Sequence, residues 1–158
     1  MNIRKSVPGD LPRMEEIYTL ARGFMREHHN PTQWSGGYPQ SDLLEKDIAM
    51  GNSYVCEDEG HIVATFYFAI ENDPTYNVIK EGKWLSEEPY GVIHRIASVK
   101  KGAGTFCINY CFERCKNLRI DTHKDNYVMQ NMLIKNGFFR CGIIFLESGD
   151  PRIAFQKI

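Results

Sequence analysis

Apolar residues recur at helical spacing in the first thirty positions: Met14, Ile17, Ala21, Phe24 and Met25 mark one face of a helix running to about His28. A short apolar-polar alternation at Asn2–Lys5 precedes it as a strand. Ser6-Val7-Pro8-Gly9-Asp10 forms the intervening turn, with Asp10 expected to cap the helix. Residues His29–Ser41, rich in Asn, Pro, Gly and aromatics, read as a loop, and Asp42–Met50 as a short acidic helix ending near Gly51. Alternation then predicts strands at Ser53–Glu57 and Ile62–Ile70 around the hairpin turn Asp58-Glu59-Gly60. A polar connection, Asp73–Pro89, leads to an apolar strand over Val92–Val99 and an amphipathic helix from Thr105 to Lys116. A strand at Leu118–Asp121, a helix over Asn126–Asn136 and strands at Phe138–Leu146 and Arg152–Lys157 complete the chain. Ser148-Gly149-Asp150-Pro151 turns between the last two.

The order β-α-α-β-β-β-α-β-α-β-β places an antiparallel front meander before one β-α-β crossover. The fold class expected is α/β: a mixed, mostly antiparallel central sheet of about seven strands with helices on both faces. At 158 residues the chain is expected to form a single domain, 1–158, with 42% apolar residues supplying its core. A net charge of −1 argues against nucleic acid as a partner. No apolar run reaches the roughly 18 residues of a membrane span, and MNIRKSVPGD contains no apolar leader segment. Five cysteines, an odd number, point to a reducing, cytoplasmic setting.

The segment Tyr90–Asn126 carries the strongest chemical signal. A strand, YGVIHRIASV, runs into KKGAG and then directly into a helix. Gly102 and Gly104 let backbone approach a ligand, Lys100 and Lys101 add cationic donors, and the helix N-terminus attracts an anion, here expected to be a pyrophosphate. Two cofactors fit such a unit. A dinucleotide-binding motif would take Gly102, Gly104 and the acidic Asp121, but its third glycine position holds Cys107, and the chain after Asp121 is too short for a doubly wound sheet. The second is coenzyme A.

Over nearly its whole length the sequence resembles the GNAT N-acetyltransferases. The family's signature is a strand, then Arg/Gln-x-x-Gly-x-Gly/Ala, then a helix. Gly102-Ala103-Gly104 matches its glycine core. Val99 stands where the Arg or Gln usually is, so that Lys100 or Lys101 must substitute, and the loop is shortened. Asn126 and Gly137-Phe138 match a second signature, an Asn, an amphipathic helix and Gly-Phe opening a strand. The helix between them is expected to bury Met129, Met132 and Leu133. More weakly, Gln33-Trp34 and Gly37-Tyr38-Pro39 resemble the substrate-side loop of small bacterial members.

The resemblance implies acetyl-CoA as cofactor, an acyl chain entering where the strands Val92–Val99 and Leu118–Asp121 splay apart, and direct transfer to a small-molecule or peptide amine. It places the backbone N–H groups of Ile96, Ala97 and Ser98 against the thioester carbonyl, Lys100, Lys101, Gly102, Ala103, Gly104 and Thr105 around the pyrophosphate, and Asn126 and Met129 along the pantetheine arm. A homodimer is compatible with it. The family's usual acid, a Tyr seven residues after the helix Asn, is replaced by Leu133. That keeps open a sensor or interaction module that binds acyl-CoA without turnover.

Of the remaining chemistry-bearing side chains, His94 is the candidate base, since imidazole exchanges protons near neutral pH. Strand alternation sets it on one face with Val92 and Ile96, opposite Ile93, Arg95 and Ala97. A core histidine satisfied by a carbonyl is the simpler alternative. Arg95 is expected to pair with Asp121 and Asp125 to cap the following helix, with Asn126 either a cofactor contact or itself a plain cap. His28, Trp34 and Tyr38 are the acceptor-side candidates, the aromatic loop either enclosing an amine or packing on the sheet. Cys107, Cys111 and Cys115 recur every four residues, but one helix stripe cannot close a tetrahedral metal site, so buried thiols are expected and no metal.

Overall fold

Residues 1–158 are described by a computed structural model. Its strands are β1 (Asn2–Lys5), β2 (Ser53–Asp58), β3 (His61–Ile70), β4 (Gly91–Ser98), β5 (Leu118–Thr122), β6 (Phe139–Phe145) and β7 (Pro151–Lys157). Its helices are α1 (Leu11–Glu27), α2 (Ser41–Ala49), α3 (Ala103–Cys115) and α4 (Tyr127–Lys135). The strands form one mixed sheet in the order β1-β2-β3-β4-β5-β7-β6. Every predicted element is present within a few residues of its expected ends. The last strand of the chain, β7, lies between β5 and β6, antiparallel to both. β4 and β5 run parallel and pair at just two positions, Gly91 with Leu118 and Val92 with Arg119.

The chain divides into two compact units: residues 1–68 with 94–110, and residues 69–93 with 111–158. In the first, the pleat of β2 explains why both sheet faces are covered. Val55 points into a cluster with Met14, Ile17 and Tyr18 of α1 and Leu44 of α2. Its neighbours Tyr54 and Cys56 point the other way, where Tyr54 packs on Tyr110 of α3 at 5.9 Å and Cys56 meets Cys107. Each fully buried Ile or Leu contributes about 1.5–3 kcal/mol. The α1 stripe is shorter than its periodicity suggests: Phe24 is exposed and stacks on His28 at 3.8 Å. Asp10 does not cap α1. Its carboxylate turns back to accept from Val7 N and the Arg4 guanidinium, and Arg4 holds the Asp10 carboxyl below its usual range.

In the second unit, β7 is covered on both faces, with Arg152 through Gln156 all buried. Arg119 of β5 is buried between Trp84 and Tyr90, each ring 4.0 Å from its guanidinium carbon, and donates to Ser86 O at 2.7 Å. Gln156 accepts from Leu85 N and Ser86 N. The connection read as merely polar is therefore anchored, residue by residue, to β5 and β7. Asp121 accepts from the buried Tyr76 hydroxyl at 2.7 Å, and Arg95, expected to pair with it, pairs elsewhere. Asn126 caps α4, its Oδ1 accepting from Met129 N at 3.0 Å, which is the plain-cap alternative for Asn126 rather than the cap expected from Asp125. Asp125 instead lies 3.7 Å from His123 Nδ1. No helix is long and apolar enough to cross a membrane.

Candidate active site

The first unit gathers most of the predicted site residues on one strand, one turn and one loop. β4 is irregular at Arg95, whose φ of +50° lies in the left-handed region. For a non-glycine residue this costs of order 1–3 kcal/mol and persists only where the surroundings enforce it. The expected alternation fails there. His94 and Arg95, which a regular pleat sends to opposite faces, both approach the Tyr67 ring, the His94 ring at 5.6 Å and the Arg95 guanidinium at 4.8 Å. Immediately beyond the kink come Ile96, half-buried, Ala97, buried, and Ser98, exposed.

The strand then turns into α3 with little chain to spare. Ala103 N donates to Lys100 O at 3.1 Å, and Phe106 N closes the first helical bond to Gly102 O at 3.0 Å. Gly102 makes this turn possible with φ +86°, and no heavy atom lies within 4 Å of the position a Cβ would take. Gly104 and Thr105 sit in the first turn of α3, where backbone N–H groups precede any intrahelical acceptor. The two lysines differ. Lys100 forms an ion pair with Asp58 at the end of β2, which raises the lysine and lowers the carboxyl. Lys101 is exposed. Of the two proposed pyrophosphate donors, Lys101 is the one without that carboxylate partner.

Of the residues expected on the acceptor side, Trp34 packs against the α1–α2 core and meets Tyr18 edge-on at 5.6 Å. Tyr38 has its ring 6.5 Å from Trp34 and its hydroxyl 3.2 Å from Arg95 Nη1. His28 Nδ1 donates to Phe24 O at 2.8 Å, closing the end of α1. Three residues that sequence reasoning passed over complete this unit. Tyr18 donates to Arg95 O, Asp47 accepts from the Arg95 guanidinium, and Tyr67 underlies it. Tyr18 sits one helical turn beyond Met14, a spacing that could have marked it. Asp47 reads as one more acid on a solvated helix and carries no such signal. Burial pushes the Asp47 carboxyl upward against the pull of Arg95.

Asn126 and Met129 belong to the second unit. Asn126 Oδ1 is engaged in the cap, accepting from Met129 N. Leu133, in the position of the missing tyrosine, is fully buried among core residues, whereas Met129 and Met132 are half-buried. Leu133→Tyr is therefore expected to cost about 1–3 kcal/mol through overpacking. Thermal melting and turnover measured on the same variant check this: a lower melting temperature with no rate gain is the expected result.

The five cysteines are all free. Cys107 and Cys111 are buried on the α3 face with Ile108, and burial raises the Cys111 thiol. No group of three His, Cys, Asp or Glu side chains is placed to hold a metal ion.

No family model and no curated protein matches the sequence. Solved structures do. An acetyltransferase of the GNAT family from Streptococcus agalactiae shares 29% identity, with 99% of this chain and 94% of that chain covered at a TM-score of 0.91. A GNAT-family acetyltransferase from Listeria monocytogenes aligns at 18% identity and TM-score 0.72, covering 99% and 93% of the two chains. A Salmonella typhimurium protein solved with its cofactor acetyl-CoA aligns at 14% identity and TM-score 0.65, covering 99% and 92%. The match to the streptococcal structure runs end to end and includes the kinked fourth strand and the glycine turn into α3: the chain has the GNAT acyl-CoA N-acyltransferase fold and is similar over its whole length to a GNAT-family acetyltransferase.

Proposed function

We propose that this protein is an N-acetyltransferase that uses acetyl-CoA and moves its acetyl group directly to a primary amine. The observation that carries the reading is the Gly102 turn. Its left-handed φ and the open space at its Cβ position leave the backbone between β4 and the N-terminus of α3 open to close approach by a ligand. Such a turn suits a pyrophosphate, and the acetyl-CoA held by the Salmonella structure of the same fold supports coenzyme A over a dinucleotide.

Acetyl-CoA supplies the activated thioester. In this reading Lys101 and the first turn of α3 hold the pyrophosphate, and the N–H groups of Ile96, Ala97 and Ser98 donate to the carbonyl oxygen, stabilising the charge it gains as the amine attacks. The nitrogen–carbon bond forms, the carbon–sulfur bond breaks, and His94 takes the proton the nitrogen sheds. The sequence offers no evident nucleophile–base pair, which favours direct transfer over a covalent intermediate. Trp34, Tyr38 and His28 mark the acceptor side, and the acceptor is a small-molecule or peptide amine. A cytoplasmic setting suits five unpaired thiols.

The experiment is thiol release from acetyl-CoA across a panel of amines, with wild type and His94→Ala side by side. His94→Ala is expected to lower kcat by about 10²-fold, the scale of general base catalysis, while acetyl-CoA binding stays within about twofold. An unchanged kcat and pH profile removes His94 from the mechanism. One observation favours a second reading, a sensor that binds acyl-CoA without turnover: Leu133 fills the acid's position with a core side chain. Acetyl-CoA binding with no thiol release for any amine would select it.

A further inference from the structure

Arg95 is the point where the strand geometry and the acceptor-side elements meet. Tyr18 Oη of α1 donates to its carbonyl at 2.6 Å. Asp47 Oδ2 of α2 accepts from its Nε at 3.0 Å and its Nη2 at 2.9 Å. Its Nη1 donates to the Tyr38 hydroxyl at 3.2 Å, and the Tyr67 ring stacks against the guanidinium. The pair is sequestered, with the Arg95 side chain 12% and the Asp47 side chain 7% exposed. Three of these four anchors come from α1, α2 and the loop between them. None is needed simply to build a strand, since the strand would be regular without the kink. What they enforce is the left-handed backbone of Arg95, and the residues aimed by that backbone are Ile96, Ala97 and Ser98.

We propose that Arg95 is a positioning residue that couples the acceptor-side loop to the strand kink, so that an amine docking against Tyr38 sets the backbone donors of Ile96–Ser98 through the Tyr38–Arg95 contact. The inference rests on the acetyl-transfer reading and extends it: the acceptor helps assemble the site that activates the donor. Asp47 and Tyr18 hold the arginine in place, and Tyr38 is the adjustable anchor, because it lies on a loop and contributes one hydroxyl contact.

Tyr38→Phe deletes that hydroxyl and little else. Acetyl-CoA binding by calorimetry, thiol release with and without the best amine, and amide-proton exchange at Ile96–Ser98 are measured on wild type and variant, with melting temperature as the check on folding. The expected result is unchanged acetyl-CoA affinity, a kcat with amine reduced about tenfold at a KM within about twofold, and loss of the amine-induced protection at Ile96–Ser98. A raised KM with unchanged kcat would make Tyr38 an amine-binding contact and nothing more, and would overturn the coupling. Unchanged kinetics, or unaltered amine-induced protection, would overturn it as well. Wild-type protein that releases no thiol with any amine would remove the acetyl-transfer reading, and the coupling with it. Arg95→Lys, which keeps the charge but not the fork that meets Asp47 and Tyr38 together, is expected to show the same kcat loss without adding to that of Tyr38→Phe in the double variant.

Discussion

Replacing Gly82 by alanine is expected to lower the melting temperature by roughly 6–12 °C, the shift that about 3 kcal/mol produces in a protein of this size. A Cβ on Gly82 would stand 1.9 Å from Cys141 O and 2.9 Å from its carbonyl carbon. Both are backbone atoms of β6, so nothing flexible can swing away, and the cost belongs at the upper end of overpacking penalties. Opposite it, a Cβ on Gly142 would stand 2.5 Å from Lys80 O. The two glycines thus allow a close backbone crossing, in which Lys80 exchanges two 2.8 Å hydrogen bonds with Ile143. β6 is the last strand of the sheet, and this crossing covers part of an edge that would otherwise invite pairing with another chain. Gly9→Ala is the control, since nothing lies within 4 Å of its Cβ position. Calorimetric melting of both variants decides the point: equal melting temperatures for Gly82→Ala and wild type would mean that the crossing is not held as described.

Much of this architecture was legible in the sequence because its signals are local. Helical stripes and strand alternation located all the elements, and Gly102 beside two lysines located the loop. What was not legible depends on partners far along the chain. Arg95 and Asp47 are 48 residues apart, and no local pattern distinguishes that partner from Asp121, which Tyr76 occupies instead. The insertion of β7 between β5 and β6 is a pairing choice that alternation cannot express. The Arg95 kink sits where Tyr18, Asp47 and Tyr67, all distant in sequence, contact that residue, and no local pattern marks it, so the strand reads as regular. Lys100 was grouped with Lys101 because sequence shows charge but not the Asp58 carboxylate that claims one of them. Asn126 and Asp125 are both good caps, and only the backbone geometry selects Asn126.

Gly102→Ala is expected to have the largest effect on ligand binding. The protein itself leaves room for the methyl group, because no atom lies within 4 Å of its position. The folded state therefore bears only the left-handed φ of +86° on a residue with a Cβ, about 1 kcal/mol. A pyrophosphate held on the backbone of the Lys100–Thr105 turn would meet that methyl directly. The expected loss of acetyl-CoA affinity is tenfold or more, at least about 1.4 kcal/mol. Gly104→Val, in the first turn of α3, is expected to act in the same direction.

Calorimetric titration of acetyl-CoA, and separately of NAD, into wild type and Gly102→Ala tests the central claim most directly. The expected result is one acetyl-CoA bound per chain, no heat from NAD, and affinity for acetyl-CoA reduced at least tenfold in the variant while its melting temperature stays within a few degrees of wild type. Saturable NAD binding, or acetyl-CoA binding of equal strength in the two proteins, would contradict it.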